Sequence, residues 1–210
     1  MDFPKVVKVR QTFPRPRVES VEGTVREQLR REDVASAVRP GMSVAVTAGS
    51  RGIARIDEVL RAVVDGLKEM GAQPFIVPAM GSHGGGTAEG QVEVLAGYGI
   101  TAAYCGCPIR ASMETVVVCH SSEGIPVHFD QQARAADHVL VVGRVKPHTE
   151  MLGDIQSGLM KMMLIGLGKH RGAAEYHQAM TRQRFDELVS HVAPMILQQM
   201  PIALGLAIVE

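Results

Sequence analysis

From about residue 40 the chain repeats one pattern: a short apolar run rich in β-branched residues, a glycine-rich loop, then a stretch whose apolar positions recur every three or four residues. Runs of the first kind predict buried strands and stretches of the last kind predict amphipathic helices. SVAVTA at 43–48 is the first strand and GSRG its loop. In the helix that follows, RIDEVLRAVVDGLKEMG, Ile56, Val59, Leu60, Val63 and Leu67 share one face. PFIVPAM at 74–80, GSHGGG and TAEGQVEVLAGYG repeat the unit, with Thr87 placed to cap the second helix. METVVVC at 113–119 and HVLVVGRV at 138–145 predict two further strands, the second opening into KPHTE. Together these units predict an α/β protein with a Rossmann-like open, mostly parallel sheet flanked by helices.

Residues 1–40 read as a looser lead-in with a helix around Glu22–Val34, and residues 41–210 as one α/β domain. The terminal IALGLAIVE predicts a strand with no turn or cap after it. We therefore expect the N-terminal half of a two-domain protein, with a C-terminal domain beyond it.

Composition narrows the function. With 46% hydrophobic residues the chain can form a substantial core without disulfide or metal staples. Its 22 basic and 22 acidic side chains balance. No segment concentrates lysine and arginine among aromatics, which argues against nucleic acid or an anionic membrane as a partner and for a small molecule. The longest apolar run falls well short of the roughly 20 residues that cross a bilayer. The N-terminus lacks the continuous apolar core of a secretory signal, so a cytoplasmic location is expected. Cys105, Cys107 and Cys119 lack the paired spacing of a structural zinc site and read as reduced thiols.

The chemistry lies in the loops. The loops after residues 48, 80 and 145 fall at the carboxyl ends of strands, where open α/β sheets bind ligands. They carry Arg51, His83 and His148 in turn. A guanidinium grips a carboxylate with a two-pronged fork, and imidazoles exchange protons near neutral pH. A small carboxylate undergoing proton transfer would suit such a cleft. Gly84, Gly85 and Gly86 precede a helix and offer backbone N–H groups to a phosphate, although steric need alone also produces such turns. Gly166-Leu-Gly168-Lys-His-Arg-Gly172 loosely matches a dinucleotide-binding pattern, but follows a Met/Leu-rich rather than β-branched run. Lys161 stands within that run, between Met160 and Met162. Either its stem reaches solvent, or it is a nucleophile or attachment point whose charge is removed by acylation.

Taken together these residues resemble the N-terminal domain of the nickel-pincer lactate racemase family. Ser157-Gly158-Leu159-Met160-Lys161 matches that family's attachment motif, and His177, sixteen residues after the lysine, falls at the position of its nickel ligand. Gly81-Ser82-His83 with Thr87 and Glu89 matches the loop of the first catalytic histidine, His148 that of the second, and Arg51 the arginine of the first loop. The resemblance implies a racemase or epimerase of a small, lactate-like 2-hydroxy acid. It implies a nickel-pincer pyridinium mononucleotide attached covalently at Lys161, cofactor contacts at Arg51, Gly84, Gly85 and Thr87, and nickel ligation by His177. His83 and His148 would serve as acid/bases for the two enantiomers while a hydride leaves and returns through a 2-keto acid. Its implied partners are the hydroxy acid and the proteins that build and insert the cofactor.

The chain also departs from the family pattern. Ala48-Gly49-Ser50-Arg51-Gly52 stands where the family has aspartate-x-threonine-arginine-proline, Leu159 and Met160 replace small and basic residues, and a longer spacer separates His148 from Lys161. Two other readings stay open: a nucleotide-dependent oxidoreductase, and a non-catalytic ligand-binding homologue.

Overall fold

The structure, a computed structural model, describes residues 4–14, 16–148 and 153–209. Thr149 and Glu150 of the third predicted loop, and Glu210 of the last predicted strand, lie outside the described residues. In chain order the elements are α1 (Val21–Leu29), α2 (Glu32–Ala35), β1 (Ser43–Ala48), α3 (Ile56–Glu69), β2 (Gln73–Pro78), α4 (Ala88–Gly97) and α5 (Ala102–Cys105). They continue with β3 (Thr115–His120), β4 (Pro126–Asp130), α6 (Gln131–Arg134), β5 (His138–Val145), α7 (Leu159–Lys161), α8 (Leu167–Ala179), α9 (Phe185–Gln199) and β6 (Ile202–Val209). A single π-helical turn, Met162–Gly166, joins α7 to α8.

The main sheet is parallel throughout, in the order β2-β1-β5-β6. Strand alternation sends side chains to two cores. Val44, Val46, Leu140 and Val142 face one layer with α1 and α3, whereas Ala45, Phe75, Val139 and Val141 face the other with α8, α9 and β4. All five apolar residues expected on the face of α3 are buried. The lead-in helix α1 contributes Val21, Val25 and Leu29 to the first core. β2 is an edge strand, which explains why it tolerates Pro74 and Pro78, and the segment around Ile109 partly covers that edge.

Sequence periodicity missed β4. The run predicted at 113–119 pairs with it as an antiparallel hairpin outside the main sheet. α8 packs against β4, where a Cβ on Gly168 or Gly172 would make only ordinary van der Waals contact with His128, at 3.5 and 3.4 Å. Of the glycines in 166–172, Gly166 is the one whose Cβ would clash, with Ala79 C=O at 2.8 Å, and the segment is helical rather than a strand-to-helix phosphate loop.

The sheet reverses direction between β1 and β5, since β2 lies to one side of this pair and β6 to the other. The two strands pair only from Val44 to Val46 and then part. Buried Thr47 bridges the widening gap: its hydroxyl accepts from Val142 N–H at 2.9 Å and donates to Val142 C=O at 3.3 Å. A crevice opens beyond it at the switch point. Replacing Thr47 with isosteric Val should leave the Val142 backbone unsatisfied and lower unfolding free energy by about 1–3 kcal/mol in urea titration. An unchanged midpoint would show that the hydroxyl contributes nothing there.

Candidate active site

Each wall of the crevice is pinned by identifiable contacts. The loop after β1 is held from one side by Tyr98, whose hydroxyl donates to Ser50 C=O at 2.7 Å, and from the other by Arg144, whose guanidinium donates to Gly52 C=O at 2.6 Å. In the loop after β2, Ala79 N–H donates to Ala48 C=O and Gly81 N–H to Gly166 C=O. Buried Gln91 donates its amide to Gly81 C=O at 2.9 Å and to His83 C=O at 3.3 Å. His83 Nδ1 then lies 2.5 Å from Ser50 Oγ.

The third wall explains the serine and glycine before Lys161. Ser157 Oγ accepts from Lys146 N–H at 2.7 Å and donates to Lys146 C=O at 2.6 Å, stapling the start of α7 to the end of β5. Gly158 adopts φ 83°, ψ −159°, a conformation open essentially to glycine, and donates its N–H to Arg144 C=O. Gln156 accepts from the backbone N–H of His148 at 2.8 Å. Lys161 is thereby delivered half-buried to the crevice.

The result is a cleft of about 330 Å³, within the range for small ligands. Arg51, His83, His148 and Lys161, predicted from four separate segments, line it together. Arg144 and Lys146 line it too, and sequence reasoning missed both. They stand two residues apart at the C-terminal end of β5, so strand alternation alone places them on one face. Met80, Met162, Ile53 and Ile165 supply apolar wall, and no carboxylate appears among the described lining residues.

Burial, with neighbouring cations adding to it, shifts the acid–base groups. Burial lowers the Lys161 amine to about 8, with Arg51 and Lys146 adding repulsion. Burial also holds the His83 imidazole below its usual value, with smaller contributions from Arg51 and Lys161. The shift favours the neutral imidazole, the form that can accept a proton.

Other expected site residues lie elsewhere. Gly84, Gly85 and Thr87 are not in the cleft lining. Gly84 has φ +66° and a Cβ there would meet the backbone of Gly90 at 2.5 Å, so the turn packs on α4. Thr87 caps that helix by accepting from Gly90 N–H at 3.1 Å. His177 is exposed on α8 outside the lining. It follows His170 and Ala173 at helical spacing, and these two approach Gly86 and Gly81 of the His83 loop. Lys161 keeps contact with the cleft, whereas Lys169, eight residues on, is fully buried.

Comparison with known proteins agrees with this architecture. The lactate racemase N-terminal domain family matches residues 5–187. The lactate racemase apoprotein from Thermoanaerobacterium thermosaccharolyticum has a similar fold, with a TM-score of 0.67 at 14% identity. The similarity covers 90% of this chain and 49% of that one, so the chain spans about half the length of this relative. No curated protein sequence matches the chain. The chain belongs to the lactate racemase N-terminal domain family.

The charge arrangement makes Lys161 a test point. Only its neutral amine reacts with an acylating reagent, so labelling should rise through a midpoint near pH 8, followed by peptide mass mapping. Arg51→Gln removes a repelling charge and should move that midpoint upward. A wild-type midpoint near 10.5, the ordinary lysine value, would contradict the burial and crowding of this amine.

Proposed function

We propose that this member of the lactate racemase N-terminal domain family is the cofactor-bearing half of a racemase or epimerase acting on a small 2-hydroxy acid. The observation that carries the reading is the convergence of a half-buried lysine amine, three further cations and two histidines in one cleft. Arg51 and Lys146 repel the Lys161 ammonium, and an anionic ligand would relieve that repulsion.

The residues fit the nickel-pyridinium mononucleotide that the family uses. Lys161 has a nucleophilic amine near neutral pH, acylation would remove its charge, and apolar Met162 and Ile165 flank it. Arg144 and Lys146 offer charge to a phosphate. His177, exposed on α8 outside the cleft lining, would supply a neutral nitrogen ligand to the nickel from the helix that runs along the His83 loop. Bound there, the group would supply a hydride acceptor and donor.

The chain's own residues would do the remaining work. Arg51 holds the substrate carboxylate in its planar fork. In the tautomer whose Nδ1–H donates to Ser50 Oγ, the Nε2 lone pair of His83 faces the substrate and takes the hydroxyl proton. Tyr98 fixes the Ser50 backbone and so the orientation of that ring. His148, from a separate loop, takes the corresponding proton from the other enantiomer. Apolar wall residues limit water and strengthen each charge interaction. Proteins that build and insert the cofactor are the expected partners.

The test is production of the full-length protein together with the cofactor-making enzymes, followed by intact mass and nickel measurement. Wild type should carry a mass adduct and nickel, Lys161→Ala neither, and His177→Ala the adduct with reduced nickel. His83→Ala should lower interconversion of the enantiomers by about 10²- to 10⁴-fold. An unmodified wild-type mass would overturn the reading.

A further inference from the structure

Behind the His83 loop, Gln91, Lys169 and Asp130 are fully buried and joined in a line. Lys169 Nζ lies 3.0 Å from Asp130 Oδ2 and donates to Pro78 C=O and, at 3.4 Å, to Gln91 Oε1. Its three ammonium protons thus have three acceptors. Asp130 Oδ1 accepts from Ala133 N–H at 2.8 Å. At the other end, the Gln91 amide reaches the carbonyls of Gly81 and His83. Four elements, β2, α4, β4 and α8, therefore converge on one ammonium group.

Two features of Lys169 oppose stability. A dehydrated ion pair is often no better than well-packed apolar residues. The backbone of Lys169 also has φ 55° and ψ −158°, where an ordinary residue is strained by about 1–3 kcal/mol and glycine is not. Stability alone would favour glycine here, which has no ammonium to offer. The route from that ammonium toward the cleft runs through Gln91 to the His83 loop.

We propose that Gln91, oriented by the Lys169–Asp130 pair, is a positioning residue that sets the His83 loop and so aims the His83 imidazole at Ser50 and the cleft. Lys169 fixes which end of the Gln91 amide is the acceptor, because its ammonium can only donate. The amide nitrogen is then turned toward the two loop carbonyls. This role rests on the reading of His83 as an acid/base, but its test reads the imidazole itself and requires no turnover, so the two can fail separately.

The experiment is histidine-labelled NMR of the full chain without cofactor, comparing wild type, Gln91→Leu and the double variant Lys169→Met/Asp130→Asn. The double variant removes both charges while keeping an acceptor for Ala133. In either folded variant the His83 titration midpoint should rise by at least about 0.5 pH unit, as the ring leaves its partly buried place beside Arg51 and Lys161. Its tautomer preference should weaken, while His148, whose backbone is held by Gln156, should titrate as in wild type. An unchanged His83 in a cooperatively folded variant would overturn the proposal, as would equal shifts at both histidines. If neither variant folds, the network serves the fold alone and the proposal fails.

Discussion

With both side chains out of water, Lys169 and Asp130 hold each other at 3.0 Å, and neither can leave without stranding a charge in a low-dielectric interior. Burial pushes the Asp130 carboxyl up and the Lys169 amine down, while each partner's charge opposes the shift. The pair couples the end of β4 to α8, and the same ammonium reaches the end of β2. From there Gln91 governs the loop that bears His83. The position of one proposed acid/base thus depends on an ion pair that does not line the cleft.

The segment from Lys161 to Lys169 connects this buried pair to the cleft surface. The π-helical turn at Met162–Gly166 adds a residue to the helical path, a feature common at functional sites. Gly166 lets this turn approach β2 so closely that a Cβ would meet Ala79 C=O at 2.8 Å. One continuous stretch therefore presents the Lys161 amine on one side of the turn and clamps the His83 loop on the other. Across the whole sequence positive and negative charges balance, yet four cations gather in this cleft.

Much of this was legible in the sequence because strands and amphipathic helices have local signatures. SVAVTA, HVLVVGRV, the apolar face of α3 and the Thr87 cap all follow from neighbouring residues. The terminal strand was legible too, and pairs in parallel with β5. The strand-end rule brought Arg51, His83 and His148 toward one place, and the attachment-motif spacing singled out Lys161. What stayed hidden depends on contacts between distant segments. β4 is short and interrupted by His128, whose ring meets Thr115 across the hairpin at 3.0 Å. Nothing near Lys169 in the sequence signals its burial, because its acceptors come from three other elements. Arg144 and Lys146 join the site through the crevice that opens where β1 and β5 part, a contact between distant segments.

The most direct test of this dependence is native-state hydrogen exchange, which reports the free energy at which each segment opens. If the buried pair ties the cleft together, the amides of residues 81–86 and those of α8 should share one opening free energy and respond equally to denaturant. Loop amides exchanging orders of magnitude faster than those of α8, with no shared denaturant dependence, would show that the His83 loop moves independently and contradict the account.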